Sequence, residues 1–493
     1  MHNMKKIFTL VLLVSCFVGQ AQLAIEVEKK AQSAFETFEQ TGAVVGLLED
    51  GKTTFMKAYG VANSQNKTAL NENTVFQVAS LSKAFTAASI GILVDRKALS
   101  WDDLVIDHYP EFKLYDAYVT RNFKIKDLLS HHNGYNTFDG DLLWYESNYS
   151  TEEIMDRFAR LAPKHGFREK YGYSNIMFIA AAKVIEIKSG KTWEEFVQTE
   201  IMDVLGMTRS TTDFDRFIDD NNKAYPHIEK KPDAHRNYNN GKGAVGVKTT
   251  APDLLKWANM WLNNGVAGTD TLLKAATVNY IQNAHTAMQV SQRNKDQGTF
   301  HSSAGLGWFL KDQGNISTVS HSGGLPGLIL NLCLVPEKKS ALVVLTNDET
   351  LFPFALTNEY IEALKEEDKT DWIALYKPYS DNGLVKNRIE LPKKAKSWLT
   401  NLEVTGIYTD AYYGEARVFT EGSKLKFRMG KGKQFVSELL PMGKTNYRIR
   451  FKDHFLPDGI VTFSLDSKGN VDGFTIDLPN PDFHFYNLDF KKN

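Results

Sequence analysis

Cysteine is almost missing from this chain of 493 residues, which has only Cys16 and Cys333. With the N-terminal segment removed, no internal disulfide can form, and Cys333, in LILNLCLVP, reads as a packing residue of a buried strand. The twelve histidines show no metal-ligand spacing: His131 and His132 are adjacent, so their side chains point differently, and neither an H-E-x-x-H pattern nor a cysteine pair occurs. No resident metal is expected. An excess of charge of one sign is also lacking, since lysine and arginine total 58 and aspartate and glutamate 59. That balance argues against a nucleic-acid partner and against a polybasic membrane surface. Apart from the N-terminus, no uninterrupted apolar run is long enough to span a bilayer, and no repeat of solenoid period is present.

What is present is enough apolar residue, 42%, for more than one core, so two domains are a natural expectation. The first 21 residues read as an export signal. Lys5 and Lys6 precede an apolar run from Ile7 to Val18, and Gly19-Gln20-Ala21 offers a small-residue cleavage site. A rival reading takes Leu13-Val14-Ser15-Cys16 as a lipobox with a lipid anchor at Cys16; the apolar run continues past Cys16, which favours plain cleavage and a periplasmic or secreted protein.

Residues 22–380 read as one catalytic-type domain. A helix-like segment, Ile25 to Gln40, precedes two apolar runs flanking Glu49-Asp50-Gly51-Lys52, a hairpin signal. Helical periodicity dominates from about residue 80 to 280, as in YSNIMFIAAAKVIEIKSG, KTWEEFVQTEIMDVLG and TAPDLLKWANMWLNNG, each stopping at glycine. Strands return in GNISTVSHSGG, LILNLCLVP and SALVVLTND. This order predicts an α/β (α+β) fold, an antiparallel sheet flanked by helices plus a helical subdomain. A charged stretch from Lys365 reads as a linker with some helix, the linker proper spanning 381–400. Residues 401–493, with EARVFTEG, KLKFRMG, YRIRFKD and GIVTFSLD at even spacing, predict a small all-β barrel or sandwich.

The stretch FQVASLSKAF sets Ser80 and Lys83 three residues apart where a helix begins, a spacing that puts a nucleophile beside a base on one face. The same spacing occurs at Ser64/Lys67 and Ser423/Lys426, so spacing alone proves nothing. Context separates the three: one lies in a polar loop, one in an alternating strand, and only Lys83 is embedded in an apolar helix, where a solvated charge is costly. To act as a base near neutrality, such a lysine must titrate well below a free lysine's ~10.4, the direction in which an apolar site moves it.

Acyl transfer also needs a second proton handler, an oxyanion site and a surface to orient the substrate. Tyr173-Ser174-Asn175 stands just before a helix, where a tyrosine can move a proton and an asparagine can hydrogen-bond a lysine or a substrate amide; the plain alternative is an interfacial aromatic followed by a helix cap. Tyr238-Asn239-Asn240 repeats the pattern in a polar loop. His321-Ser322-Gly323-Gly324 follows a strand, and its glycines would let an extended acyl group approach an edge backbone. His321, neutral or charged near pH 7, can stabilise an anion or orient a carboxylate. Lys188-Ser189-Gly190 also fits a basic-hydroxyl-glycine pattern, but a helix stop explains it.

Taken in order, Ser80-Leu81-Ser82-Lys83, Tyr173-Ser174-Asn175 and His321-Ser322-Gly323 resemble the three motifs of the class C β-lactamase and penicillin-binding-protein-related serine hydrolases. LLSHHNGY (Leu128 to Tyr135) and the stretch from Gly243 look similar to that family too, over roughly residues 25 to 365, and the tail resembles the lipocalin-like β-domain appended to some members. The resemblance implies Ser80 as the acylated nucleophile, with Lys83 and Tyr173 sharing the general-base and general-acid work. It implies Asn175 as orienting Lys83 and the substrate, the N–H groups of Ser80 and Gly324 as the oxyanion hole, and no cofactor. His321 stands where class C β-lactamases carry lysine, as in D-alanyl carboxypeptidases, D-aminopeptidases and some esterases. The implied substrate is therefore a small D-amino-acid-containing peptide or an ester, with a β-lactam acting more as inhibitor than substrate. The reading from a different class is a non-catalytic binding protein whose β-domain does the recognition.

Overall fold

A computed structural model describes residues 22–296, 298–365, 370–383, 388–393, 395–430 and 432–493. The expected leader, with Cys16, lies outside the described residues. Two compact units are interleaved along the chain: the described residues of Met1–Leu99, Lys188–Asn237 and Val245–Leu384 form the first, and those of Ser100–Ile187, Tyr238–Ala244 and Val385–Asn493 the second.

In the first unit the expected hairpin forms. Gly42–Glu49 and Lys52–Asn63 pair antiparallel, and Asp50 (φ 47°) and Gly51 (φ 77°) supply the two left-handed positions of a tight turn. These strands belong to a nine-stranded antiparallel sheet. Its order runs from Thr286–Ala287 through Ser302–Ala304, Phe309–Gln313, Ile316–Leu325, Leu328–Val335 and Ser340–Thr346 to Gly42–Glu49, Lys52–Asn63 and Thr68–Ala69. Gly42–Glu49 is buried along its whole length, as a strand covered on both faces must be. Ala43, Val45 and Leu47 pack with Leu23, Val27 and Phe38 from the N-terminal helical segment and with Phe352, Leu356 and Tyr360 of the helix Phe352–Ala363. On the other face Gly46 admits Leu255 of the helix Ala251–Leu262, whose Trp257 stacks on Phe85 of Ser82–Asp95 at 4.1 Å between ring centres. Helices on both faces of an antiparallel sheet are the expected α+β architecture.

Two local expectations change. Part of the charged stretch after Lys365 is core: Trp372–Gly383 is a helix whose Trp372 is buried and donates its indole N–H to Glu362 at 2.7 Å, with Ile373 in the main cluster. Its charges sit on the solvated face and mask an apolar one. Between Ser100 and Tyr173 the chain is less helical than its periodicity indicates. The longest helix there is Thr151–Phe158, because turn formers such as Asn133-Gly134 and Asp139-Gly140 break the pattern.

The second unit contains that irregular stretch, the helix starting at Asn175 and, in its C-terminal part, nine antiparallel strands curled into a nearly closed barrel. Alternation fills the barrel with aromatics: Phe474 lies within 4.6–5.6 Å, ring centre to ring centre, of Tyr408, Phe427, Phe463 and Phe490.

Candidate active site

Ser80 sits in a 3-10 turn, Ala79–Leu81, that runs directly into the helix Ser82–Asp95. Lys83 comes around one turn later, and its Nζ lies 3.0 Å from Ser80 Oγ, donating a hydrogen bond to it. The lysine is fully buried while Ser80 is only part-buried. The turn is held tightly. Ser82 Oγ donates to the Ala79 carbonyl at 2.7 Å and accepts the Val247 N–H at 2.9 Å, while the Val78 N–H donates to the Val247 carbonyl at 3.1 Å. Ala79 itself is left-handed (φ 49°), a conformation costing a non-glycine residue about 1–2 kcal/mol, which these bonds hold in place. The helix has no acidic residue in its first turn, so its positive end is unopposed next to Ser80.

The third motif lies in the same unit. His321-Ser322-Gly323-Gly324 ends the strand Ile316–Leu325, which is interior in the sheet order rather than an edge. Locally it behaves as one: the ladder to Phe309–Gln313 stops at Phe309↔Ser320, and Ser322 to Gly324 run on past its end. Gly323 faces the turn that carries Ser80. A Cβ there would lie 2.4 Å from the Val78 carbonyl oxygen and 3.2 Å from Ala79 Cβ, so only glycine lets the strand approach. Gly324 is exposed, with open space where its Cβ would be. His321 is buried, and its Nδ1–H donates to the Ser322 carbonyl at 2.6 Å, which leaves the lone pair of a neutral ring on Nε2. Burial, reinforced by the Lys83 charge, pushes His321 down to about 3, so of the two charge states allowed by sequence the neutral one holds at neutral pH.

Tyr173 and Asn175 belong to the second unit. Tyr173 is buried in a sleeve of neighbours: its ring stacks on His131 at 4.4 Å and meets Phe138 edge-on at 5.3 Å. Its N–H donates to Thr137 Oγ1 at 3.2 Å, and its carbonyl accepts the Phe138 N–H at 2.8 Å. Gly172 precedes it for a steric reason, since a Cβ would fall 2.0 Å from the Tyr135 carbonyl oxygen. Asn175 opens the helix Asn175–Ser189, and its Nδ2–H donates to Asp141 Oδ2 at 2.6 Å.

Three neighbours escaped sequence reasoning. His131 accepts the Ser174 N–H at Nδ1 (3.1 Å) while stacking on Tyr173, and Asp141 anchors both Asn175 and the Trp144 indole N–H (2.9 Å). Ser82 locks the turn that carries Ser80. A signal existed for each, in LLSHHNGY, in the paired acids of the apolar stretch TFDGDLLW and in the second serine of SLSK. The decoys resolve structurally. Tyr238 stacks on Tyr145 and Asn240 donates to the Trp144 carbonyl, while Gly190 (φ 70°) ends its helix. Burial pushes the Cys333 thiol up to about 12, as suits a packing residue.

A family model described as Beta-lactamase matches residues 31–366. The chain belongs to the Beta-lactamase family of serine hydrolases. A second model, described as a domain of unknown function (DUF3471), matches residues 399–492. The chain is 24% identical over 451 residues to Penicillin-binding protein 4* of Bacillus subtilis, covering 86% of this chain and 91% of that protein. It is 27% identical over 325 residues to Unguisins hydrolase ungD' of Aspergillus campestris, covering 60% of this chain but only 57% of that protein. Among solved structures, the octameric penicillin-binding protein homologue from Pyrococcus abyssi superposes with a TM-score of 0.59 at 18% identity, over 94% of this chain and 99% of that one. A class C beta-lactamase does so with a TM-score of 0.58, also at 18% identity, over 70% and 98%. At these identities the superpositions speak for fold alone. Among the described residues, no helix is long and apolar enough to cross a membrane.

Proposed function

We propose that this family member is an exported hydrolase that forms an acyl-enzyme at Ser80 with a small D-amino-acid-containing peptide or an ester. The observation that carries the reading is the 3.0 Å approach of Nζ of a fully buried Lys83 to Oγ of a part-buried Ser80. Once deprotonated, the amine accepts the hydroxyl proton along the same line, and Oγ attacks the acyl carbon. Oxyanion charge then develops near the Ser80 and Gly324 N–H groups and the positive helix end. Tyr173, sharing the proton with Lys83, delivers it to the leaving amine or alcohol, and Asn175 orients the lysine and the substrate. Water attacks the resulting ester, its proton returns through the same groups, and free Ser80 is regenerated. The motif order supports these roles for Tyr173 and Asn175, and Ser322 to Gly324 provide backbone for an extended acyl group. Residues 1–21 support export.

A neutral His321 favours one substrate class within this reading. It gives no fixed cation to pair with a carboxylate, so an ester or an uncharged D-aminoacyl amide suits the third motif better than a β-lactam or a free C-terminal carboxylate. The test is intact mass spectrometry of residues 22–493, and of Ser80→Ala, after exposure to penicillin and separately to a fluorophosphonate. A single adduct lost in the mutant supports Ser80 as nucleophile, and no adduct on folded protein from either probe moves the reading to a non-catalytic binder. Rapid steady-state nitrocefin turnover would count against the inhibitor role of β-lactams.

A further inference from the structure

Within the second unit, one short segment touches both residues of the Tyr173/Asn175 motif. Thr137 and Phe138 hold the backbone and ring of Tyr173, and Asp141 holds the Asn175 amide. Between them, Asp139 is buried and its carboxylate faces two ways. Oδ2 accepts the Asn136 N–H at 2.8 Å, closing the turn, while Oδ1 accepts His484 Nδ1–H at 2.8 Å and Asn487 Nδ2–H at 3.2 Å, both from the C-terminal barrel domain. The segment is not in a relaxed conformation. Phe138 (φ 68°) is left-handed without being glycine, and at Gly140 (φ 96°) any Cβ would lie 2.7 Å from side-chain atoms of Ile176 and Phe158. A backbone of this kind persists only where its surroundings over-determine it, and Asp139 is a buried hydrogen-bonded tie from it to the barrel.

We infer that the C-terminal barrel works as a brace for acylation, with His484 and Asn487 as positioning residues that hold Asp139, and through it the segment gripping Tyr173 and Asn175. The inference rests on the reading that Tyr173 and Asn175 serve Ser80. His484 suits that role, because burial alone would push its ring down, but the hydrogen bond and charge of Asp139 outweigh that and raise it, which strengthens the tie. Nearby, Tyr145 of the same stretch donates to Asp453 at 2.6 Å and stacks on Phe483 at 4.0 Å, so the barrel is seated next to His484 by packing independent of the Asp139 tie. Removing the tie therefore loosens the grip without undocking the domain.

The experiment follows the rate of fluorophosphonate labelling of Ser80 in the full chain, with Ser80→Ala as control. His484→Leu keeps bulk and loses the donor. His484→Asn places an amide N–H close to where Nδ1–H stood. The inference expects the limiting labelling rate of His484→Leu to fall about 10-fold, with unchanged half-saturating probe concentration and a retained melting transition, and His484→Asn to recover most of the loss. Labelling of folded His484→Leu at the wild-type rate, or a loss carried by half-saturation alone, overturns the brace while the reading of Ser80 stands. If His484→Leu does not fold, Asn487→Ala, at a half-buried position, decides in its place, with a loss of about 3-fold expected and an unchanged rate overturning the inference. A wild type that is not labelled at Ser80 overturns the functional reading first, and the brace with it.

Discussion

The two motifs invite comparison because their parts are brought together differently. Ser80 and Lys83 meet within one helical turn, locked locally by Ser82 and, from 165 residues away in the same unit, by Val247. No turn of helix joins Tyr173 and Asn175 to their supports: His131 and the Thr137–Asp141 segment come from 34 to 43 residues away, and that segment is itself tied to His484, 345 residues from Asp139. If Ser80 and Lys83 share a proton as proposed, their spacing is one that backbone geometry guarantees. The second motif has no such guarantee, so its position is a product of tertiary packing and is open to disturbance from the barrel.

The contrast can be broken most sharply at Lys83. Lys83→Ala is expected to lower Ser80 labelling by about 10³-fold while the circular dichroism of the fold persists, and near-normal labelling would remove the lysine from the mechanism. Next in size is an acid limb. His321 is neutral and held far below its unfolded value of 6.5, so its contribution to stability is present above that value and is lost as pH falls toward about 3. Denaturant titrations of wild type should show several kcal/mol lost across that window, and His321→Leu should flatten the slope; an unaltered slope would mean the ring is protonated in the folded protein.

Asp141→Ala should cost about 2–4 kcal/mol in urea unfolding, because it removes at once the carboxylate that accepts from the buried Asn175 amide and from the Trp144 indole. A cost below about 1 kcal/mol would show that the second motif does not depend on its brace. Gly323→Ala pushes a methyl into the Val78 carbonyl and is expected to cost about 1–3 kcal/mol and slow labelling, which would show that the Ser80 turn needs the strand contact in addition to its bonds from Val247. At the small end, Ser150→Ala removes the capping box of Thr151–Phe158 and should cost about 1 kcal/mol with no change in labelling rate, separating mere stability of the second unit from the grip on Tyr173.

Much of the fold was legible in local signals. Asp50-Gly51 needs two left-handed residues and so marks the hairpin; Thr250 and Thr192 cap the helices that follow them; alternation after Leu402 marks the barrel strands. The stretch from Ser100 to Tyr173 reads as helical in sequence and is largely irregular in the fold, because apolar spacing there serves packing of aromatics, which periodicity cannot distinguish from one helix face. Trp372–Gly383 was hidden by the charge of its solvated side.

Short-range proximity is settled by covalent geometry: a serine and a lysine three apart at a helix start will share a face in any fold that keeps the helix. Charge state and partnership are not. His321 is neutral because burial and the Lys83 charge surround it, Gly323 is required because a strand from another part of the chain abuts Val78, and Asp139 meets His484 because the barrel is docked where it is. Desolvation and long-range contact depend on what else the folded chain brings alongside, and the order of residues along a strand or helix carries no record of it.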